Sequence, residues 1–205
     1  MMAHPYMQTL ATNLAHLHAL IPPQPKRNLA SNSASMPMTE EDSYLAPQIR
    51  WRSIPEGRPG THRTMQTMAD IARQATHDAD FVKFAWQFSS LGELDTWMRQ
   101  HFVYRDEHDE LIRTPRFMLG DMGRIAGPRV IGLEGDCDDA ATFLAAAAKV
   151  LGFPARLVAI RYNKSNPNFE HVFAQACANG EWVTLDPTVD VGTVIQSVED
   201  MIVPV

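Results

Sequence analysis

Three residues of the chain have side chains that together could activate a thiol: Cys137, His171 and Asp186. A cysteine attacks a carbonyl carbon as the thiolate, so something must first remove its proton. An imidazole can take that proton and later return it to a leaving amine, and a carboxylate can hold the imidazole in the required tautomer. The chemistry would be acyl transfer from an amide bond. It requires three residues that are far apart in the chain to meet in space.

The cysteine lies in the first turn of a predicted helix. Asp136 is a good N-cap, Asp139 follows three residues later as a carboxylate variant of the capping box, and Gly152 suits the position just after the helix. Steps of three and four residues put the thiol on one stripe with apolar positions and direct it toward the face that packs on the following sheet. These positions are Cys137, Ala140, Leu144, Ala147 and Leu151.

The electrostatic setting of the thiol is mixed. A helix N-terminus stabilises a thiolate, whereas the nearby carboxylates Asp136, Asp138 and Asp139 favour the neutral thiol. We therefore expect that an adjacent imidazolium is needed for activation. The acidic cluster could in principle hold a hard cation, but acids are common in the first turn of a helix, and the sequence predicts no metal site and no cofactor.

A predicted hairpin brings the other two residues together. Asn179–Gly180 is a strong signal for a two-residue turn, and it pairs Ala178 with Glu181 and Phe173 with Asp186. Asp186 then lies on the same face as His171 and diagonal to it, within reach of an imidazole. A one-residue slip would place the carboxylate on the opposite face.

The remaining elements are predicted from hydrophobic periodicity and from capping and turn residues. Thr61 is expected to cap a helix that runs to about residue 75, Asp80 to cap a second helix, and a third to run from Leu91 to Phe102. Residues 105–132 are predicted to be loop with short pieces. Strands are predicted over 156–162, 170–178 and 181–185, and Cys177 on the second of these is expected to be a structural thiol.

Length and composition limit the class of protein. The chain has 205 residues, 45% of them hydrophobic, and a net charge of −6. The acidic balance disfavours nucleic-acid binding, and two cysteines exclude a disulfide scaffold. Apolar runs are too short to span a membrane, and the first basic residue, Lys26, follows the early apolar segment, unlike the order in a signal peptide. We expect a cytoplasmic protein with no membrane partner.

Proline content divides the chain. Eight of the fourteen prolines fall within residues 1–60, which are interpreted as an N-terminal arm. An amphipathic helix is predicted at about 5–21, with apolar residues from Met7 to Ile21, and Pro22–Pro23 end it. This helix could dock on its own domain or on a partner. Residues 61–190 are predicted to form the folded domain and 191–205 a C-terminal tail.

Several motifs together resemble the transglutaminase-like superfamily. They are Gly-Asp-Cys-Asp-Asp at 135–139, Leu-Gly-Phe-Pro-Ala-Arg at 151–156, His-Val-Phe at 171–173 and Trp-Val-Thr-Leu-Asp-Pro-Thr at 182–188. The resemblance covers roughly 61–190. It implies an α+β, papain-like core in which a cysteine-bearing helix packs on an antiparallel sheet, preceded by helices and the arm. It also implies that Cys137, His171 and Asp186 are the catalytic triad.

The variety with Gly-Asp-Cys-Asp-Asp is similar to transglutaminase-like proteins of tailed phages and prophages. That likeness implies a role in the host cytoplasm or in a virion, where residues 1–22 would dock on a virion or assembly protein. Family members place an aromatic residue some 35 positions before the cysteine to help hold the oxyanion. Tyr104 has a suitable donor and Phe102 has none, while the backbone N–H of Cys137 is a further donor.

Two functions follow from these observations. The first is a thiol enzyme that acts on an amide or acyl bond of a protein or peptide, with water as acceptor in a protease or amidase and an amine as acceptor in a transglutaminase. The second is a virion structural or assembly protein that uses the fold as a binding module through its arm. The intact triad favours the first function and the long arm favours the second.

Overall fold

The computed structural model of the protein describes residues 48–50, 57–105, 111–120, 133–191, 193 and 196–205. The helix predicted at about 5–21 and its docking role lie outside these residues. Among the described helices, none is both long and apolar enough to cross a bilayer. In chain order the elements are β1 (Gln48–Arg50), α1 (Arg58–Ala75), α2 (Ala79–Ala85), α3 (Leu91–His101), β2 (Phe102–Tyr104), β3 (Leu111–Arg113), α4 (Pro115–Met118), β4 (Leu133–Gly135), α5 (Cys137–Val150), β5 (Ala155–Arg161), β6 (His171–Ala178), β7 (Glu181–Leu185) and β8 (Glu199–Pro204).

Helix α5 is the central element of the fold. Its side chains from Asp138 to Ala148 are buried on every side of the helix, as expected for a helix enclosed by other elements. The alanines Ala145–Ala148 allow close approach, and β5 and β6 pack on one side while α1, α2 and α3 pack on the others. Phe143 meets the ring of Phe81 edge-on, with centroids 5.2 Å apart. The predicted architecture, a cysteine-bearing helix on an antiparallel sheet, is confirmed.

The main sheet has the strand order β7-β6-β5-β8, and all of its neighbours are antiparallel. Ala178 pairs with Glu181 and Ala174 with Leu185, which is the predicted hairpin register. Asn179 and Gly180 both have positive φ, 55° and 84°, as a type I′ turn requires. The turn therefore fixes which face of the sheet receives the residues that follow β7.

Two segments predicted to lie outside the domain contribute strands. β8, within the expected tail, pairs with β5 along its whole length and buries Met201 and Val203 against the core. β1, within the expected arm, pairs antiparallel with β3. Residues 199–204 are thus an edge strand of the main sheet. Exposed and buried side chains alternate from Asp200 to Pro204, but the apolar residues 201–204 are consecutive in the sequence, and no turn signal of the hairpin kind precedes them.

Two helix starts differ from the prediction. α1 begins at Arg58 behind Gly57, with Pro59 in its first turn, and Thr61 lies inside the helix, where its hydroxyl donates to the Gly57 carbonyl at 3.2 Å. The N-cap of α2 is Asp78, whose carboxylate accepts from the N–H of Asp80 at 3.0 Å. Thr61 and Asp80 as caps were therefore wrong, because in each case an earlier residue starts the helix.

The third helix ends one residue earlier than predicted, and the described part of the region predicted as loop contains two short elements. α3 is capped by Ser90, whose hydroxyl accepts from the Glu93 N–H at 3.1 Å, and it ends at His101, so that Phe102 begins β2. The region predicted as loop with short pieces contains β3 and the one-turn helix α4 within its described residues. Residues 106–110 and 121–132 of that region lie outside the described part of the chain.

Candidate active site

His171 and Asp186 meet at one end of the main sheet. His171 is the first residue of β6 and Asp186 directly follows β7, so the hairpin brings both to the same end of the sheet. His171 Nε2 donates to Asp186 Oδ2 at 2.7 Å, and the two side chains are only 10% and 3% exposed. Since Nε2 carries a proton toward the carboxylate, Nδ1 is the nitrogen left to accept a proton from elsewhere.

The Asp186 carboxylate is held on both oxygens. Oδ1 accepts from the backbone N–H of Thr188 at 3.0 Å and from its hydroxyl at 2.7 Å, while Oδ2 receives His171. Burial by itself would raise the pKa of Asp186, but the hydrogen bonds from His171 and Thr188 outweigh it and hold the pKa below its ordinary value. The residue is therefore an ionised acceptor that orients the imidazole. Thr188, which the sequence indicated only as the end of a motif, thus helps position it.

Cys137 begins α5 beside the strand that carries the histidine. Its sulfur is partly buried and receives the backbone N–H of Val172, the residue after His171. Burial first, and then the charges of Asp136 and Asp138, raise the pKa of the thiol to about 12, and Asp186 adds to the effect. The carboxylates of Asp136 and Asp138 thus favour the neutral thiol, as expected, and the thiol is protonated at neutral pH.

The carboxylate of Asp139 has a structural role that the sequence did not indicate. It accepts from the backbone N–H of Arg113 at 2.6 Å and pairs with the Arg113 guanidinium, so it does not complete a capping box with Asp136. That prediction was wrong because β3 supplies a stronger partner. Burial raises the pKa of Asp139 to about 6, and Arg113 opposes the shift. The pair ties β3 to the start of α5.

The Asp139 side chain, paired with Arg113, leaves no room for a side chain on Gly135. A Cβ built on Gly135 would lie 2.3 Å from Asp139 Oδ2 and 2.7 Å from Asp139 Cβ, closer than real side chains approach. Asp139 cannot move aside easily, because it is buried and Arg113 fixes both of its oxygens. The glycine before Asp136 and Cys137 therefore lets a buried carboxylate pack against the entry to α5.

The acidic cluster has structural explanations. Oxygen atoms of Asp136, Asp138 and Asp139 lie within 4.8 Å of one another. Asp136 caps α5 by accepting from the Asp138 N–H at 3.2 Å, and Asp139 is paired with Arg113. Two of the three carboxylates are thus committed to holding the helix and its neighbour in place.

Tyr104 lies next to the residues that lead into α5. In the parallel pair of β2 and β4 it is opposite Gly135, and about half of its surface is exposed, at 52%. Phe102, two residues earlier, packs against the core. The N–H of Arg105 donates to the Gly135 carbonyl at 2.7 Å and extends the pairing. The pairing thus places the backbone of Tyr104 beside a residue two positions before Cys137, and the oxyanion assignment of Tyr104 stays a prediction.

A second tyrosine near the site was not among the residues that the sequence indicated. Tyr162 follows β5, and its N–H donates to Glu170 Oε2 at 2.8 Å beside the start of β6. Burial, and then the charges of Asp186 and Cys137, raise the pKa of its phenol, so the hydroxyl remains a proton donor at neutral pH. The only sequence signal was its position at a strand end, next to the strand that carries His171.

The sequence matches a known family over the region that contains this site. Residues 89–187 match the transglutaminase-like superfamily. Residues 89–187 thus form a transglutaminase-like domain, in which a cysteine-bearing helix packs on an antiparallel sheet. Cys137, His171 and Asp186 all lie within the matched residues. No curated protein matches the sequence significantly.

Three solved structures are similar at low identity. A proposed cysteine protease from Cytophaga hutchinsonii is 16% identical, with 69% of this chain and 48% of that chain covered and a TM-score of 0.37. A TGase is 17% identical, with coverage of 77% and 38% and a TM-score of 0.34. A proposed protease from Parabacteroides distasonis is 10% identical, with coverage of 76% and 34% and a TM-score of 0.40. The chain therefore spans a third to a half of the length of these structures.

Proposed function

We propose that the protein is a cysteine acyl-transfer enzyme that acts on amide bonds of proteins or peptides. The observation that carries the proposal is the hydrogen bond between His171 and Asp186 at the strand end next to the N-terminus of the helix that begins with Cys137. A buried imidazole with a carboxylate on one nitrogen is equipped to accept a proton on the other. The superfamily match supports a cysteine-based enzyme.

The reaction begins with proton transfer from the thiol. Because the thiol pKa is about 12, we propose that the sulfur loses its proton to His171 Nδ1 as it attacks, rather than resting as a thiolate. The S–C bond forms, and the C–N bond breaks as His171 returns the proton to the leaving amine. Water or a second amine then attacks the acyl carbon and its proton passes to His171. The S–C bond breaks, and His171 returns the proton to the sulfur, which regenerates the thiol.

The oxyanion formed during attack needs donors. The backbone N–H of Cys137 points out of the helix N-terminus, where no carbonyl of the helix can satisfy it. Tyr104 is the proposed second donor, since its strand runs beside Gly135 and its side chain is exposed. Both groups are neutral donors, so they can stabilise developing charge without first being deprotonated.

The proposed nucleophile is tested by alkylation with iodoacetamide in a Cys177→Ala background, so that Cys137 is the remaining thiol. Labelling should be rapid near neutral pH, and His171→Ala should slow it by about a hundredfold, within the range for loss of a general base. Mass spectrometry of tryptic peptides measures the rate. In the unmodified chain, equally slow labelling of Cys137 and Cys177 would leave only a structural use of the fold.

The oxyanion donor is tested separately with p-nitrophenyl acetate, because alkylation by iodoacetamide develops no oxyanion. Tyr104→Phe should slow the burst of p-nitrophenolate by about tenfold or more while the alkylation rate stays the same. Tyr162→Phe is the matched control, since it removes the hydroxyl of the tyrosine that follows β5. A burst lost in the Tyr162 variant and kept in the Tyr104 variant would reverse the assignment.

A further inference from the structure

A side chain of helix α3, Arg99, contacts the main chain of Asp186. The guanidinium of Arg99 donates through Nη2 to the carbonyl of Asp186 and through Nη1 to the carbonyl of Val189. Its Nε donates to Asp95 Oδ2 at 2.7 Å, one helical turn earlier. Both side chains are largely buried, with 22% and 16% exposed. One planar cation thus spans the turn that follows β7.

Asp95 completes the contact from the same helix. Burial raises the pKa of this carboxylate, and the hydrogen bond and charge of Arg99 oppose the shift. Asp95 thus holds the guanidinium that engages the carbonyl of Asp186. The two carboxylate oxygens of Asp186 are engaged by His171 and Thr188. The carbonyl and both carboxylate oxygens of Asp186 therefore have partners.

Strand pairing does not fix Asp186 by itself. The β6–β7 ladder ends at the pair of Ala174 and Leu185, and the next residue along the chain, Pro187, has no N–H to donate. A carboxylate at the end of a ladder is free to shift unless its main chain is held from another element. A displacement of about 1 Å is enough to cost a large factor in rate at a catalytic group.

We propose that Asp95 and Arg99 are positioning residues that set the place of the Asp186 carboxylate, and through it the orientation of His171. This inference rests on the proposed function, because it concerns the same proton transfer. It predicts that Arg99 affects the thiol only through Asp186. If Arg99 merely stabilised the domain, its substitution would lower the melting temperature, and its effect on the alkylation rate would not depend on Asp186.

The test is a double-mutant cycle on the rate of Cys137 alkylation by iodoacetamide at pH 7, in the Cys177→Ala background. Arg99→Met should slow alkylation by about tenfold, and Asp186→Asn by at least as much. The double variant should be no more than about twofold slower than Asp186→Asn alone, because the first residue acts through the second. Rate losses that multiply would overturn the proposal.

Arg73→Met is the matched control. Like Arg99, Arg73 pairs with an aspartate of its own helix, Asp70, and donates to the carbonyl of a strand residue, Pro204, at 3.1 Å. It differs in its place, since it lies on α1 and contacts the last residue of β8. It should leave the alkylation rate unchanged. If Arg99→Met does not fold, Arg99→Lys keeps the charge beside Asp95 but loses the fork that spans two carbonyls, and it should slow alkylation by about threefold or more.

Failure of the inference is distinct from failure of the proposed function. If His171→Ala leaves the alkylation rate unchanged, His171 does not activate the thiol and the proposed function fails. If His171→Ala slows alkylation but both Arg99→Met and Arg99→Lys leave it unchanged, the function stands and the positioning role fails. Loss of rate in Arg73→Met equal to that in Arg99→Met would show a general effect of stability and would also overturn the positioning role.

Discussion

His171 Nε2 lies 2.7 Å from Asp186 Oδ2, and this hydrogen bond decides which nitrogen of the imidazole can serve a thiol. Asp186 accepts two further hydrogen bonds from Thr188, and its pKa is held low, so it stays ionised and keeps the proton of His171 on Nε2. The nitrogen available to Cys137 is then Nδ1. The proposed proton transfer therefore depends on the register of one hairpin and on the anchoring of one carboxylate.

The pH dependence of alkylation should differ between the enzyme and its histidine variant. Since the pKa of Cys137 is raised to about 12, the thiolate is scarce at neutral pH and its fraction grows about tenfold per pH unit. In His171→Ala, Cys177→Ala the iodoacetamide rate should follow this slope from pH 7 to pH 10. With His171 present, the dependence should be shallower because the imidazole removes the proton. A plateau above pH 8 in the histidine variant would contradict the raised thiol pKa.

Asp136→Asn should make the thiol more acidic. Asp136 is among the charges that raise the Cys137 pKa, while its oxygen also caps α5, and asparagine keeps a capping oxygen without the charge. In the His171→Ala, Cys177→Ala background, alkylation at pH 9 should rise by about threefold or more as the thiolate fraction grows. Asp136→Ala should raise it similarly but lose about 1 kcal/mol of stability with the cap. Unchanged rates in both variants would show that the charge of Asp136 does not raise the pKa of Cys137.

Thr188→Val should weaken the anchor of Asp186. The variant keeps the backbone N–H bond to Oδ1 but loses the hydroxyl bond at 2.7 Å, which costs about 1–2 kcal/mol of stability. Because that bond lowers the Asp186 pKa, its loss should move the pKa upward and shift the acid limb of the alkylation profile to higher pH. Thr188→Ser keeps the hydroxyl and should retain the wild-type limb. A limb that moves equally in both variants would show that loss of the hydroxyl bond is not the cause.

The hairpin could be predicted from sequence because its determinants are local. Asn179 and Gly180 adopt the positive φ values that the turn needs, and the turn then fixes the register as far as Leu185. Side-chain alternation on paired strands places His171 and Asp186 on one face, and that placement is what the structure has. Short-range rules therefore sufficed for the two residues that share the hairpin.

The supports of the site could not be predicted in the same way, since each is a contact between distant segments. Arg99 and Asp95 have the i, i+4 spacing of any exposed helical ion pair, and nothing in that spacing indicates that the pair holds Asp186, 87 residues away from Arg99. Asp139 had the spacing of a capping box, but Arg113, 26 residues earlier, competes for it. A charged residue in a local pattern can satisfy either a local or a distant partner, and only the packed structure decides which.

Gly135→Ala should destabilise the domain and impair the site together. The added Cβ would lie 2.3 Å from Asp139 Oδ2 and 2.7 Å from its Cβ, so the start of α5 or the Asp139–Arg113 pair must shift. Overpacking of this kind costs about 1–3 kcal/mol, and it would move the turn that carries Cys137 away from the backbone N–H of Val172. Thermal unfolding and the iodoacetamide rate measure the two effects.

Gly180→Ala is the control that separates steric crowding at the site from the loss of a glycine. Gly180 has a φ of 84°, and within the described part of the chain no atom lies within 4 Å of the position that an alanine methyl group would take, so alanine there costs about 1–2 kcal/mol through backbone strain alone. That variant should melt at a lower temperature yet alkylate Cys137 at the wild-type rate, because the turn lies at the opposite end of the hairpin from His171 and Asp186. If Gly135→Ala also kept the wild-type rate, the contact with Asp139 would matter for folding and not for the placement of the thiol.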